Sequence, residues 1–223
     1  MSAWDACVDK SLTIDSICSM PCWLGVDLAT RVDISSIAIL AHDGDYYYLL
    51  AQHFAPEAIA QKQPLYRSFA SAGTLTLQKG AALNVDLIEK FLLDLAGRLD
   101  IRGIACDPYQ SAQLSQHLRD RGLEALEFRQ TVANMSPAMR HLEALIADRR
   151  IRIAPDPCLR WMAANTVCHV DTKDNIYPRK ASSDRKIDGI VAAIMAIGIA
   201  GTGRRGIGSS DTTGFVQPGI IVL

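Results

Sequence analysis

Nothing in the chain approaches the roughly 18 consecutive apolar residues of a membrane-spanning helix, so a bilayer-crossing segment is excluded. The start of the sequence shows no charged-then-apolar leader, and a reducing cytoplasm is the expected compartment. Charge of one sign is also missing. With 23 Lys+Arg against 24 Asp+Glu the net charge is −1, and the overall field does not advertise a nucleic-acid binder. Affinity for a polyanion must then come from local basic clusters, or from a neighbouring domain or subunit. The six cysteines (7, 18, 22, 106, 158 and 168) have no regular spacing. Cys18 and Cys22 are separated by Ser-Met-Pro rather than by a two-residue zinc spacer, while Cys106, Cys158 and Cys168 read as small core residues. No GxxxxGK[ST] loop occurs, no internal repeat is evident, and no Ser-His-Asp or Cys-His arrangement can be assigned.

What is present suits one α/β domain: 223 residues, 49% of them hydrophobic and 21% charged. Residues 1–21 lack a strong period and read as a linker-like lead-in. Strands are expected at 23–30, 35–41 and 46–54, joined by turns at 30–33 and at His42-Asp43-Gly44-Asp45, which makes an antiparallel meander. Residues 55–80 hold prolines and glycines and read as a loop-rich excursion. A helix over 83–99, with Asn84 as N-cap, leads to a strand at 101–106. Helix 110–121 ending at Gly122, strand 125–129, helix 136–148, a short strand at 150–153 and a helix from Asp156-Pro157 to Asn165 follow. An irregular hairpin is expected at 167–178. The last helix is expected from 182–184 to Ala200, and 202–223, rich in Gly, Ser and Thr, reads as a flexible tail. The main domain is therefore 22–201.

Three aspartates stand where a bare carboxylate is costly. Asp27 ends the apolar run from Trp23, Asp107 ends the run from Ile101, and Asp188 lies in an apolar, alanine-rich helix. Divalent cations are among the few partners that satisfy several such groups, and magnesium and manganese prefer oxygen donors. Two ions about 4 Å apart can activate a water and stabilise a leaving oxygen, so the set suggests phosphodiester hydrolysis. Asp27 would sit at the centre, with Asp107 and Asp188 on either side. Asp33 is a candidate fourth ligand, with a turn aspartate as the competing reading. Lys180, Arg185 and Lys186 flank the start of the Asp188 helix, a sensible place for a phosphate backbone.

The meander followed by helix–strand alternation is the order of a ribonuclease H-like fold: a mixed central β-sheet flanked by α-helices. The chain also resembles the C-terminal nuclease domain of the large terminase subunit of tailed phages. The resemblance is carried by GVDLATRVDISSIAIL (25–40), GIACDPYQSAQLSQHLRDRG (103–122), QTVANMSPAMRHLEALIADRRI (130–151), WMAANTV (161–167) and RKASSDRKIDGIVAAIMAIG (179–198). It implies an endonuclease that uses two divalent ions, Mg²⁺ or Mn²⁺, and cuts concatemeric double-stranded viral DNA during packaging, in the host cell cytoplasm. Asp27, Asp107 and Asp188 match the family's three metal-binding aspartates. The implied partners are DNA, a terminase ATPase domain, the small terminase subunit and the portal, with no membrane. Competing readings are an actin-like or sugar-kinase-like ATPase, which needs a phosphate loop after its first-strand aspartate, and a non-catalytic docking module of a DNA-processing complex.

Overall fold

The computed structural model describes residues 1–29 and 33–201. Their elements run α1 (Ser2–Asp5), a 3₁₀ turn (Asp15–Ile17), β1 (Pro21–Asp27), β2 (Ser35–His42), β3 (Tyr47–Pro56), α2 (Glu57–Lys62), α3 (Pro64–Ser71), β4 (Leu75–Gln78), α4 (Val85–Ala96) and β5 (Asp100–Cys106). Then come α5 (Pro108–Asp120), β6 (Ala125–Glu127), α6 (Val132–Ala147), β7 (Ile151–Ile153), α7 (Pro157–Asn165), β8 (Thr166–Val170), β9 (Ile176–Lys180) and α8 (Asp188–Ala200).

β1, β2 and β3 form the expected antiparallel meander. β5 joins β1 in parallel and β6 joins β5 in parallel, so the sheet reads β4-β3-β2-β1-β5-β6. β4 and β7 share the outer edge of β3, at its carboxyl and amino halves respectively. Side chains of a strand alternate between faces. Leu24 and Val26, with Ile37, Ile39, Ile104 and Cys106, face Ile88, Leu92 and Leu95 of α4 and Leu114 and Leu118 of α5. The opposite face packs against α6, α7 and α8. A sheet covered on both faces explains why β1 and β5 read as almost continuous apolar runs.

α8 is the most enclosed helix. Ala192, Ala193, Ile194, Met195 and Ala196 have no exposed surface. Small residues make this possible. Ala51, Ala38, Gly25 and Ala105 are register partners across β3, β2, β1 and β5, and so form one shallow rung. A Cβ at Gly25 would lie 1.9 Å from the Ala192 carbonyl oxygen, so the helix backbone rests on the strand itself.

Several boundaries differ from expectation. Residues 55–80 hold α2, α3 and the parallel strand β4; Pro64 opens α3, and Tyr66 and Phe69 are its buried contacts. α5 starts earlier than expected because Asp107 caps it and Pro108 takes its first position. α6 starts at Val132 and carries Pro137 in its second turn, where the ring removes one helical hydrogen bond, the one to the Ala133 carbonyl. α8 starts only at Asp188, so this residue opens the helix instead of lying inside it. Cys168 is exposed on β8, not buried; all six cysteines are free. Residues 1–21 add Trp4, Cys7, Leu12 and Ile17 to the core, and Val8 bridges Ile153. The turn expected at 30–33 lies outside the described residues except for Asp33, as does the tail from 202.

Candidate metal centre

The rung beyond Gly25 carries the polar residues. Asp27 is the register partner of Ser36, and Ser36 is the partner of His53. Asp107 follows directly on Cys106, which pairs with Val26, so it extends this rung on the β5 side. Asp188 precedes Ala192 by one helical turn. Since Ala192 sits on Gly25, Asp188 is brought over the end of β1. The carboxyl ends of two parallel strands and the start of one helix thereby converge, where open α/β sheets bind ligands.

The electrostatics of this convergence are unfavourable for bare carboxylates. Burial pushes the Asp27 carboxyl up to about 8, and the Asp188 and Asp107 charges act in the same direction. A hydrogen bond from Gln130 and the nearby Lys180 oppose the rise. Burial also raises Asp188, and the Asp33 charge adds to it, against the helix-start N–H, Lys180 and Lys186. Oδ2 of Asp188 is buried and has no hydrogen-bond partner. An orphaned carboxylate oxygen is rare in a folded protein.

Each of the other sequence-derived candidates has a definite place. Asp107 accepts the Tyr109 N–H at 3.0 Å as the N-cap of α5, so it is a helix cap as well as a neighbour of Asp27. Asp33 accepts from Lys186 through Oδ2 and from the Ile34 N–H at 2.8 Å. Lys180 ends β9 within electrostatic reach of both Asp27 and Asp188. Arg185 lies apart, exposed, with its nearest carboxylate at Asp184, 3.9 Å away.

Two contributors escaped the sequence reading. Gln130, in the loop before α6, donates Nε2–H to Asp27 Oδ1 at 2.9 Å. Tyr177, on β9, donates its hydroxyl to the Gln130 carbonyl at 3.0 Å. Burial raises the Tyr177 phenol, and the Asp27 and Asp107 charges raise it further, which places the ring at the same centre. Neither residue has a local spacing that marks it; their only signal is membership of the loop and hairpin that the topology folds over β1.

The donor set fits a hard divalent cation: carboxylate oxygens, one of them unpartnered and buried, with raised proton affinities that a cation would reverse. Among the described residues, no three acidic, His or Cys side chains are already drawn together tightly enough to hold an ion. The fit is therefore one of chemistry and neighbourhood.

Residues 1–203 match the family described as terminase large subunit, endonuclease domain. The chain belongs to this family. Protein YmfN of Escherichia coli K12 is similar at 30% identity, over 89% of this chain and 47% of its own length. The terminase large subunit of Enterobacteria phage HK97 is 26% identical, over 89% of this chain and 40% of its own length. The terminase nuclease chain thus spans less than half of these curated relatives. In structure, the HK97 large terminase superposes with a TM-score of 0.78 at 24% identity, covering 89% of this chain and 42% of that one. The large terminase nuclease of thermophilic phage G20c aligns at TM-score 0.60 and 11% identity over 87% of this chain and 95% of its own. That G20c nuclease has also been crystallised with magnesium. The fold is accordingly the ribonuclease H-like mixed sheet of terminase nucleases.

Proposed function

We propose that this terminase nuclease domain hydrolyses phosphodiester bonds of double-stranded viral DNA during genome packaging, with Asp27, Asp107 and Asp188 holding two divalent ions, Mg²⁺ or Mn²⁺. The observation that carries the reading is the buried, unpartnered Oδ2 of Asp188 beside two further carboxylates. When bound, the ions supply a nucleophilic water at neutral pH and stabilise the leaving oxygen.

The chain's own residues have distinct tasks in this reading. Asp27, between the other two, would be the central ligand, with one of its oxygens held by Gln130. Asp107 is held by the α5 cap and Asp188 by the contact of α8 with β1. Lys180 lies beside the carboxylates and is suited to a backbone phosphate. Lys186 has the same role after release from Asp33, which would then be free as a fourth ligand. Arg185, exposed, extends the basic edge along the duplex. The partners this reading requires are DNA, a packaging ATPase domain, the small terminase subunit and the portal, in the host cell cytoplasm.

The test is plasmid nicking by the purified chain with Mn²⁺ or Mg²⁺. Nicked and linear products that disappear with EDTA are expected. Intact supercoiled plasmid at high enzyme and Mn²⁺ would overturn the reading.

A further inference from the structure

Beneath the first turn of α8 runs a chain of polar side chains that the proposed reaction does not use. Ser36 Oγ and His53 Nδ1 are 2.8 Å apart, and His53 Nε2 lies 3.2 Å from Asp156 Oδ2. Ser36 and His53 have no exposed surface and Asp156 almost none. A nucleophilic role is closed to a hydroxyl that no substrate reaches. Polar groups in an apolar layer are costly unless each is hydrogen bonded, and here each is.

The direction of the chain follows from its far end. Asp156 caps α7, its Oδ1 accepting the Leu159 N–H at 2.8 Å. As a carboxylate its Oδ2 only accepts, so His53 carries a proton on Nε2. In the neutral ring Nδ1 then accepts from the Ser36 hydroxyl. Ser36, the strand partner of Asp27, is thereby tied through the ring to the cap of α7.

His53 also meets the element that carries Asp188. A Cβ at Gly189 would lie 2.7 Å from His53 Cε1, so the residue after Asp188 rests on the imidazole. The Gly189 N–H donates to Met162 Sδ of α7 at 3.1 Å. One ring therefore bridges the strand beside Asp27 and the helix turn of Asp188, braced by the cap of α7.

We propose that Ser36–His53–Asp156 is a positioning relay for the carboxylate centre: by tying the strand partner of Asp27 to the turn of Asp188 and the cap of α7, it sets the spacing of Asp27 and Asp188. This rests on the reading of that centre as a divalent-cation site. Outer groups of this kind alter metal affinity by about 10- to 100-fold.

The test uses the full chain and three variants. Ser36→Ala removes the hydroxyl that holds His53, with little change of volume. His53→Asn keeps a polar atom toward Ser36 and gives up Asp156, whereas His53→Gln reaches toward Asp156 and gives up Ser36. Each is followed by thermal unfolding in EDTA, by Mn²⁺ titration calorimetry, and by plasmid nicking across Mn²⁺ concentrations. Ser36→Ala is expected to unfold near the wild-type temperature. Its Mn²⁺ Kd and half-saturating Mn²⁺ for nicking should each rise about 10-fold or more, with most of kcat recovered at saturation. Both His53 variants should weaken Mn²⁺ binding in the same way. A purely structural chain would lower the unfolding temperature and leave the Mn²⁺ Kd of the folded protein unchanged, and that result overturns the relay. If the His53 variants do not fold, Ser36→Ala decides by itself. Wild-type protein that binds Mn²⁺ without nicking refutes the endonuclease reading while the relay is still judged on Kd. Wild-type protein that binds no Mn²⁺ overturns both.

Discussion

Asp107 does two jobs that a single substitution can separate. As a cap it accepts the Tyr109 N–H, and as a carboxylate it faces Asp27. Asparagine caps a helix as well as aspartate does, so Asp107→Asn should keep the urea stability within about 0.5 kcal/mol. Its nicking rate should nonetheless fall about 10³-fold or more, the scale of losing several kcal/mol of charge stabilisation. Asp107→Ala should lose the same activity and about 1 kcal/mol of stability besides. Asp188→Asn, which neutralises the orphaned oxygen, should abolish the rise in unfolding temperature that Mn²⁺ gives the wild-type protein. All three aspartates were legible as sequence because each interrupts or ends an apolar run. Gln130 and Tyr177 were not, since each reaches Asp27 or its holder from a distant stretch of chain. The same distance hid Ser36, His53 and Asp156, which share no local pattern.

At the scale of elements, the seat of α8 on β1 is the decisive packing. Gly25→Ala places a Cβ at 1.9 Å from a backbone oxygen, which only a shift of the helix can relieve. The expected cost is about 3 kcal/mol by denaturant unfolding, the upper end for overpacking, with loss of nicking in whatever fraction still folds. The meander was readable because β1, β2 and β3 are seven, eight and ten residues long. α2, α3 and β4 were not, because helices of six and eight residues and a four-residue strand are too short to display a period. The start of α8 was misplaced for a different reason. Its residues are buried all round, so no polar face defines where the helix begins, and Ile187 provides no side-chain cap.

For the whole molecule, protons and the proposed metal would compete for one centre. In the folded, metal-free protein Asp27 keeps its proton up to about pH 8, whereas in the unfolded chain it loses it near its ordinary value of 3.8. The folded state thus binds more protons between those values, and stability in EDTA should fall as pH rises from about 4 to about 8. Asp27→Asn should flatten that slope, and Mn²⁺ should stabilise the wild-type protein most at the alkaline end, measured by urea unfolding at fixed pH. With a net charge of −1, the proposed DNA binding would rest on a few basic residues around Lys180 and Lys186. The logarithmic salt dependence of its DNA affinity should then be no steeper than about −4, and Lys180→Ala should reduce the slope by about 1. The pairing of β1 with α8 has a temporal meaning too. Among the described residues Asp27 stands on the first strand and Asp188 on the last helix, so the carboxylates meet only when these two elements close on each other. During synthesis, a chain that has made its sheet but not α8 holds only part of the carboxylate centre. If the domain cuts the viral genome as proposed, completion of its fold is itself the safety catch on that activity.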